Sequence, residues 1–129
     1  MLEFFRQLCN GIHYMHSEKV LHRDLKPDNV FVTDNLTLKI GDFGISKVLD
    51  LTADYARSVS GTRLYFSSEI LNRLPYNSKS DMWAAACVLH EITTLKRTFN
   101  PANDYSFITI INKINTGEYG PLPNVYSVE

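Results

Sequence analysis

The run DMWAAACVLHEI, from Asp81 to Ile92, is apolar nearly all the way round a helical wheel, and no other stretch narrows the possible folds so far. A helix with one apolar stripe lies on the surface of a core, whereas a helix apolar on every face is enclosed by protein on every side. Ser80 is placed to cap it, its hydroxyl accepting from the first free backbone N–H groups. Its uninterrupted apolar part, MWAAACVL, is far short of the ~20 residues that cross a bilayer, so it predicts the centre of a globular domain rather than a membrane span. A chain of 129 residues, 44% hydrophobic, has the size and composition of one such domain or part of one.

Two more helices and a hairpin are legible around it. Leu2, Phe5, Leu8, Cys9, Ile12 and Met15 recur at steps of three or four and predict an amphipathic helix from Leu2 to His16, with no capping residue before it. Val30 to Val32, the turn residues TDN and the alternating Leu36, Leu38 and Ile40 read as a small hairpin. DYSFITIINKIN predicts a last helix with Phe107, Ile108, Ile111 and Ile114 at helical spacing, ending before Gly117. Between Ile45 and Ser60 neither period holds, and a loop of that length in a compact domain is usually functional or mobile. The net charge of −1 offers no excess of Lys and Arg for nucleic acid or an anionic membrane. Cys9 and Cys87 each lie among apolar residues, outside any metal-ligand spacing. They read as reduced core residues, and with no basic-then-apolar signal segment at the start they imply an intracellular protein, by expectation cytoplasmic.

The chemistry is concentrated in LHRDLKPDNVFV, Leu21 to Val32. Asp24 and Asn29 share one loop, and the hairpin that follows would return Asp42 beside them. Three oxygen-bearing side chains would then meet, and oxygen ligands are what a hard cation such as Mg²⁺ takes, one or two carboxylates being completed by substrate phosphates. Lys26 adds a positive charge two residues past Asp24. On these residues alone a metal-dependent phosphohydrolase and a charged surface loop are the alternatives.

HRDLKPDN followed by DFG resembles the catalytic loop and metal-binding motif of eukaryotic protein kinases, with the H-R-D-x-x-x-x-N spacing matched throughout. The resemblance implies the fold class, which is mainly α: a kinase-like C-terminal lobe with a small β-hairpin, part of an α+β kinase fold. It also implies roles. Asp24 accepts or orients the hydroxyl proton of a protein substrate, Lys26 stabilises the transferring phosphoryl group, and Asn29 and Asp42 hold the Mg²⁺ ions that bridge the phosphates of ATP. Phe31 resembles the residue beneath the adenine ring. Lysine after the catalytic aspartate is the serine/threonine-kinase pattern, in which Thr62 contacts Asp24 and Lys26. His22 and Phe43 are expected in the core under the site, and Asp81 is expected to tie down the loop backbone.

KIGDFGISKVL, PYNSKSDMW and INTGEYGPLPNVYS resemble the NIMA-related (Nek) kinases across residues 1–129. That likeness implies an activation segment between Asp42 and Glu69, with Ser58 at a position whose phosphorylation activates many members and Arg23 as the partner of the phosphate. Three residues depart from the usual G-T-P-Y-Y-x-S-P-E: Arg63, Leu64 and Ser68, which fall in the substrate-docking loop. Ala86 stands where the buried helix usually has glycine. No G-x-G-x-x-G loop and no V-A-I-K strand occurs, and no arginine follows Arg97 to pair with Glu69. The expectation is a lobe without its N-terminal partner, inactive by itself; the alternative is a catalytically inactive interaction module.

Overall fold

The computed structural model describes residues 2–42, 61–100 and 106–124, the side chains of Gly61 and Thr62 excepted. The expected loop from Ile45 to Ser60, Phe43 and Ser58 therefore lie outside the described residues. The described part is mostly helical. Helix α1 (Leu2–Ser17) leads through a loop and a 3-10 turn (Pro27–Asn29) into strands β1 (Val30–Val32) and β2 (Leu38–Ile40). A second 3-10 turn (Gly61–Tyr65) is followed by α2 (Ser68–Leu71), α3 (Ser78–Thr94) and α4 (Phe107–Thr116).

Helix α3 is the axis of the molecule. Ala84, Ala85, Cys87 and Val88 are almost fully buried and meet Leu8 and Ile12 of α1, Leu25, Leu64, Tyr65, Phe99, and Ile110 and Ile114 of α4 in one cluster. The Trp83 and Phe99 rings stack in parallel with centroids 5.8 Å apart. Tyr65 donates its hydroxyl to Glu91, which fastens the second 3-10 turn to the far end of α3. Burial and that carboxylate push the Tyr65 phenol far above its ordinary range. Cys9 and Cys87 are both free thiols.

The helix start differs from expectation. Asn77, not Ser80, is the N-cap: its side chain accepts from Lys79 N at 2.8 Å, while Ser80 Oγ accepts from Asn77 N at 3.3 Å in a reciprocal capping box. Starting the helix at Ser78 carries Ser80 and Asp81 into its first turn, where both are buried. Nor is α3 enclosed on every side by the described residues, because Lys79, Met82 and Ala86, spaced three and four apart, form one exposed stripe.

Smaller corrections have local causes. Leu36 does not continue β2; it takes φ +59 in the turn, where Leu36 N donates to Thr33 O, and it is exposed. Helix α4 begins at Phe107 behind Ser106, whose hydroxyl accepts from Thr109 N at 3.2 Å. Its inward residues include Ile110 and Ile114, and Ile108, about a hundred degrees round the wheel from its neighbours, is exposed.

The hairpin is seated on α1, and this seating positions the loop before it. Val30 pairs with Ile40, Phe31 with Lys39 and Val32 with Leu38 in an antiparallel register. Gln7 of α1 acts as a surrogate strand: its Oε1 accepts from Leu38 N at 2.8 Å and its Nε2 donates to Leu36 O at 3.4 Å. Gly11 lets α1 approach closely, since a β-carbon there would lie 2.8 Å from Ile40 Cδ1.

Candidate active site

The loop from His22 to Asn29 is held from below by Asp81. This carboxylate has no solvent exposure, and a buried charge is tolerable only when its lone pairs are occupied. Here they are. Oδ2 accepts from His22 N at 3.0 Å and from His16 Nε2 at 2.8 Å, and Oδ1 accepts from Arg23 N at 3.1 Å and from the Tyr76 hydroxyl at 2.5 Å. Burial, and then the bond to Asp81, push the Tyr76 phenol well above its ordinary range, so it stays a donor. Arg23 is thereby held at φ +67, a conformation that costs a non-glycine residue energy and needs such support.

His22 is fully buried, and its two ring nitrogens have different jobs. Nδ1 accepts from Asp24 N at 3.2 Å, which makes Nε2 the protonated nitrogen, and Nε2 donates to Gly41 O at 2.9 Å. One imidazole thus joins the backbone of Asp24 to the residue before Asp42. Gly41 N in turn donates to Asn29 O at 2.9 Å. The loop and the end of β2 are therefore laced together through main-chain groups, in keeping with the return of the hairpin expected from the sequence.

Three of the named side chains converge directly. Lys26 Nζ lies 3.2 Å from Asp24 Oδ2, with the two side chains 17% and 12% exposed. Asn29, almost fully buried, donates its Nδ2 to Asp24 O at 2.7 Å and to Asp24 Oδ2 at 3.2 Å. With its amide nitrogen spent on Asp24, Asn29 presents Oδ1 as an acceptor oxygen. Asp42 is exposed one residue beyond Gly41, at φ +51. Among the described residues no group of three His, Cys, Asp or Glu side chains converges on a metal position. Asn29 offers an amide oxygen and Asp42 a carboxylate, the donor types that Mg²⁺ completed by phosphate oxygens takes.

The remaining named residues lie around this centre. Phe31, on β1, is half exposed, and Arg23 is exposed. The backbone of Thr62 lies in the second 3-10 turn, with its side chain outside the described residues. Of the residues that depart from the usual docking-loop pattern, Leu64 is in the core, Arg63 stacks its guanidinium 4.7 Å over the Phe107 ring, and Ser68 opens α2. Glu69 accepts from Ser80 Oγ at 2.7 Å. Burial raises its pKa, but hydrogen bonding led by Ser80 outweighs this and holds the carboxyl below its ordinary value. Sequence reading did not single out His16, Tyr76 or Gln7, which hold the loop and the hairpin.

Residues 1–125 match the protein kinase domain family. Among curated relatives, the chain is 42% identical over its full length to serine/threonine-protein kinase Nek1 of Mus musculus and 43% identical to serine/threonine-protein kinase Nek11 of Homo sapiens. It is also 43% identical, over 98% of its length, to probable serine/threonine-protein kinase nek3 of Dictyostelium discoideum. The chain spans 10%, 19% and 11% of these proteins, respectively. Its relatives are serine/threonine-protein kinases by name, its HRDLKPDN loop is held on a buried aspartate, and the chain belongs to the protein kinase family, with the NIMA-related kinases.

Proposed function

We propose that this chain carries the catalytic-loop half of a serine/threonine protein kinase, corresponding to most of a C-terminal lobe, and serves transfer of the ATP γ-phosphoryl group to a serine or threonine of a protein. The observation that carries the reading is the convergence of Asp24, Lys26 and Asn29 within 3.2 Å, on a loop laced to the residue before Asp42. In the reaction, the acceptor oxygen forms a bond to the γ-phosphorus as the bond to the bridging oxygen of ADP breaks, and the hydroxyl proton passes to the Asp24 carboxylate. Lys26 compensates the charge on the phosphoryl oxygens. Asn29 Oδ1 and the Asp42 carboxylate would hold Mg²⁺, which when bound neutralises phosphate charge. The exposed face of Phe31 receives the adenine.

Regulation follows the same local chemistry. Arg23 has its backbone fixed on Asp81 and its side chain outside, which suits it to pair with a phosphate on Ser58, and Thr62 is assigned to the Asp24–Lys26 pair. Such charge-assisted pairs order loops. The protein is placed inside the cell, where ATP and reduced thiols are found.

The test is phosphate transfer from γ-labelled ATP to a serine peptide by a chimera joining this chain to the nucleotide-clamping region of a Nek relative. Asp24→Asn and Asp42→Asn should each reduce transfer at least a hundredfold, in line with removal of a general base or a metal ligand. Near-normal transfer in either variant rejects the assignment.

A further inference from the structure

Gly41 follows β2 with its backbone pinned on both sides. Its N–H donates to Asn29 O at 2.9 Å, and its carbonyl accepts from Nε2 of the fully buried His22 at 2.9 Å. The next residue, Asp42, already has a positive φ of 51° and has little freedom to absorb a shift. A β-carbon built on Gly41 would lie 2.7 Å from Phe31 Cε2, 3.3 Å from Cδ2 and 3.9 Å from Cζ. Unstrained carbon contacts fall near 3.5–4.0 Å, so either the backbone or the ring has to move. Moving the backbone breaks a bond to Asn29 and leaves a buried imidazole N–H without its acceptor. Moving the ring needs only a side-chain rotation, because Phe31 is 52% exposed. The absence of a side chain at residue 41 therefore decides where the Phe31 ring rests.

We propose that Gly41 is a positioning residue for nucleotide-base binding, acting through the Phe31 ring. Glycine there lets the Phe31 ring lie back over the end of β2 and present its face to a planar purine. Any β-carbon at this position displaces the ring and weakens base binding, while the phosphate-side residues Asp24, Lys26, Asn29 and Asp42 keep their places. This rests on the reading of Phe31 as the nucleotide platform. An aromatic stacking contact of the usual strength corresponds to a loss of about two- to tenfold in affinity.

The experiment uses the 129-residue chain and the variants Gly41→Ala, Phe31→Leu and their combination. Each is titrated with Mg-ATP and, separately, with Mg-tripolyphosphate, which has no base; the aromatic ¹H–¹³C resonances of Phe31 report the ring position. Gly41→Ala should move the Phe31 resonances and weaken Mg-ATP about two- to tenfold. Tripolyphosphate affinity should stay unchanged, and the Gly41→Ala effect on ATP should vanish in the Phe31→Leu background. Three results overturn the proposal: resonances that stay in place, an equal loss for tripolyphosphate, or an undiminished loss without the ring. If ATP binds the parent chain while the ring is unmoved by Gly41→Ala, only this inference falls. If the ring moves but the parent chain binds no ATP, the nucleotide reading of Phe31 falls and takes the inference with it.

Discussion

Replacing Asp81 with asparagine keeps the side chain's shape and removes its charge together with half of its accepting capacity. Four donors converge on the carboxylate: His22 N, Arg23 N, His16 Nε2 and the Tyr76 hydroxyl. An asparagine amide turned one way meets Arg23 N and Tyr76 with its oxygen but opposes His22 N with an NH₂ group. Turned the other way, it opposes Arg23 N. His16 can change tautomer and the Tyr76 hydroxyl can rotate, but a backbone N–H can do neither, so at least one buried backbone donor is left unpaired in either orientation. That donor costs about 1–3 kcal/mol, and a further ~1 kcal/mol goes with the exchange of charge-assisted for neutral bonds. The expected loss in Asp81→Asn is therefore about 2–4 kcal/mol, a large part of a small domain's stability. Urea unfolding of parent and variant measures it, and hydrogen exchange locates it, with the His22 or Arg23 amide losing protection first. A change below about 0.5 kcal/mol, with both amides still protected, would refute the claim that Asp81 holds the loop.

Other consequences follow from single features. Gln7→Ala removes the partner of Leu38 N and should cost about 1 kcal/mol, with faster amide exchange at Leu38 as the specific sign; unaltered exchange there rejects the surrogate-strand role. Leu95 ends α3 at φ +56 with its side chain almost fully exposed, so Leu95→Gly should raise stability by about 0.5–1 kcal/mol, the strain relieved exceeding glycine's entropy cost, and a drop in thermal midpoint contradicts this. Burial pushes the Cys87 thiol from 9.0 up to about 12. The folded state then holds a proton that the unfolded state has released, so stability should fall as pH rises from about 9 towards 12. At pH 8 Cys87 should resist a thiol reagent until urea unfolds the chain, and prompt labelling of Cys87 itself in the native protein, as distinct from the less buried Cys9, contradicts its burial.

Local chemistry was legible in the sequence where it is carried by neighbours in the chain. The loop from His22 to Asn29 and the hairpin after it bring Asp24, Lys26 and Asn29 together through short-range geometry, and α1 shows its inward stripe in Leu8, Ile12 and Met15. Choices between equivalent signals were not legible. Asn77 and Ser80 are both good caps, and only the reciprocal bond between them decides that Asn77 sits outside the helix. In FITII, consecutive apolar residues allow more than one inward face, and packing against α2 selects Ile110 over Ile108. The supports of the site are harder still. His16 and Tyr76 reach Asp81 from elements 65 and 5 residues away, and Gln7 reaches the hairpin across 31 residues; no periodicity in the sequence marks such contacts. The positive φ of Arg23 and Asp42 is likewise invisible, because neither is glycine and each is held there by long-range bonds around it.

In the proposed function, Asn29 and Asp42 form the metal-nucleotide side of a phosphoryl-transfer site around Asp24. The most direct measurement is titration of the ¹⁵N-labelled chain with Mn²⁺ and ATP, since paramagnetic Mn²⁺ in an Mg²⁺ position broadens the resonances nearest to it. Broadening is expected to centre on the Asn29 side-chain amide and the Asp42 backbone amide, to require ATP and to be abolished by Asp42→Asn. Saturating metal and nucleotide that leave Asn29 and Asp42 sharp, or broadening that persists in Asp42→Asn, would contradict it.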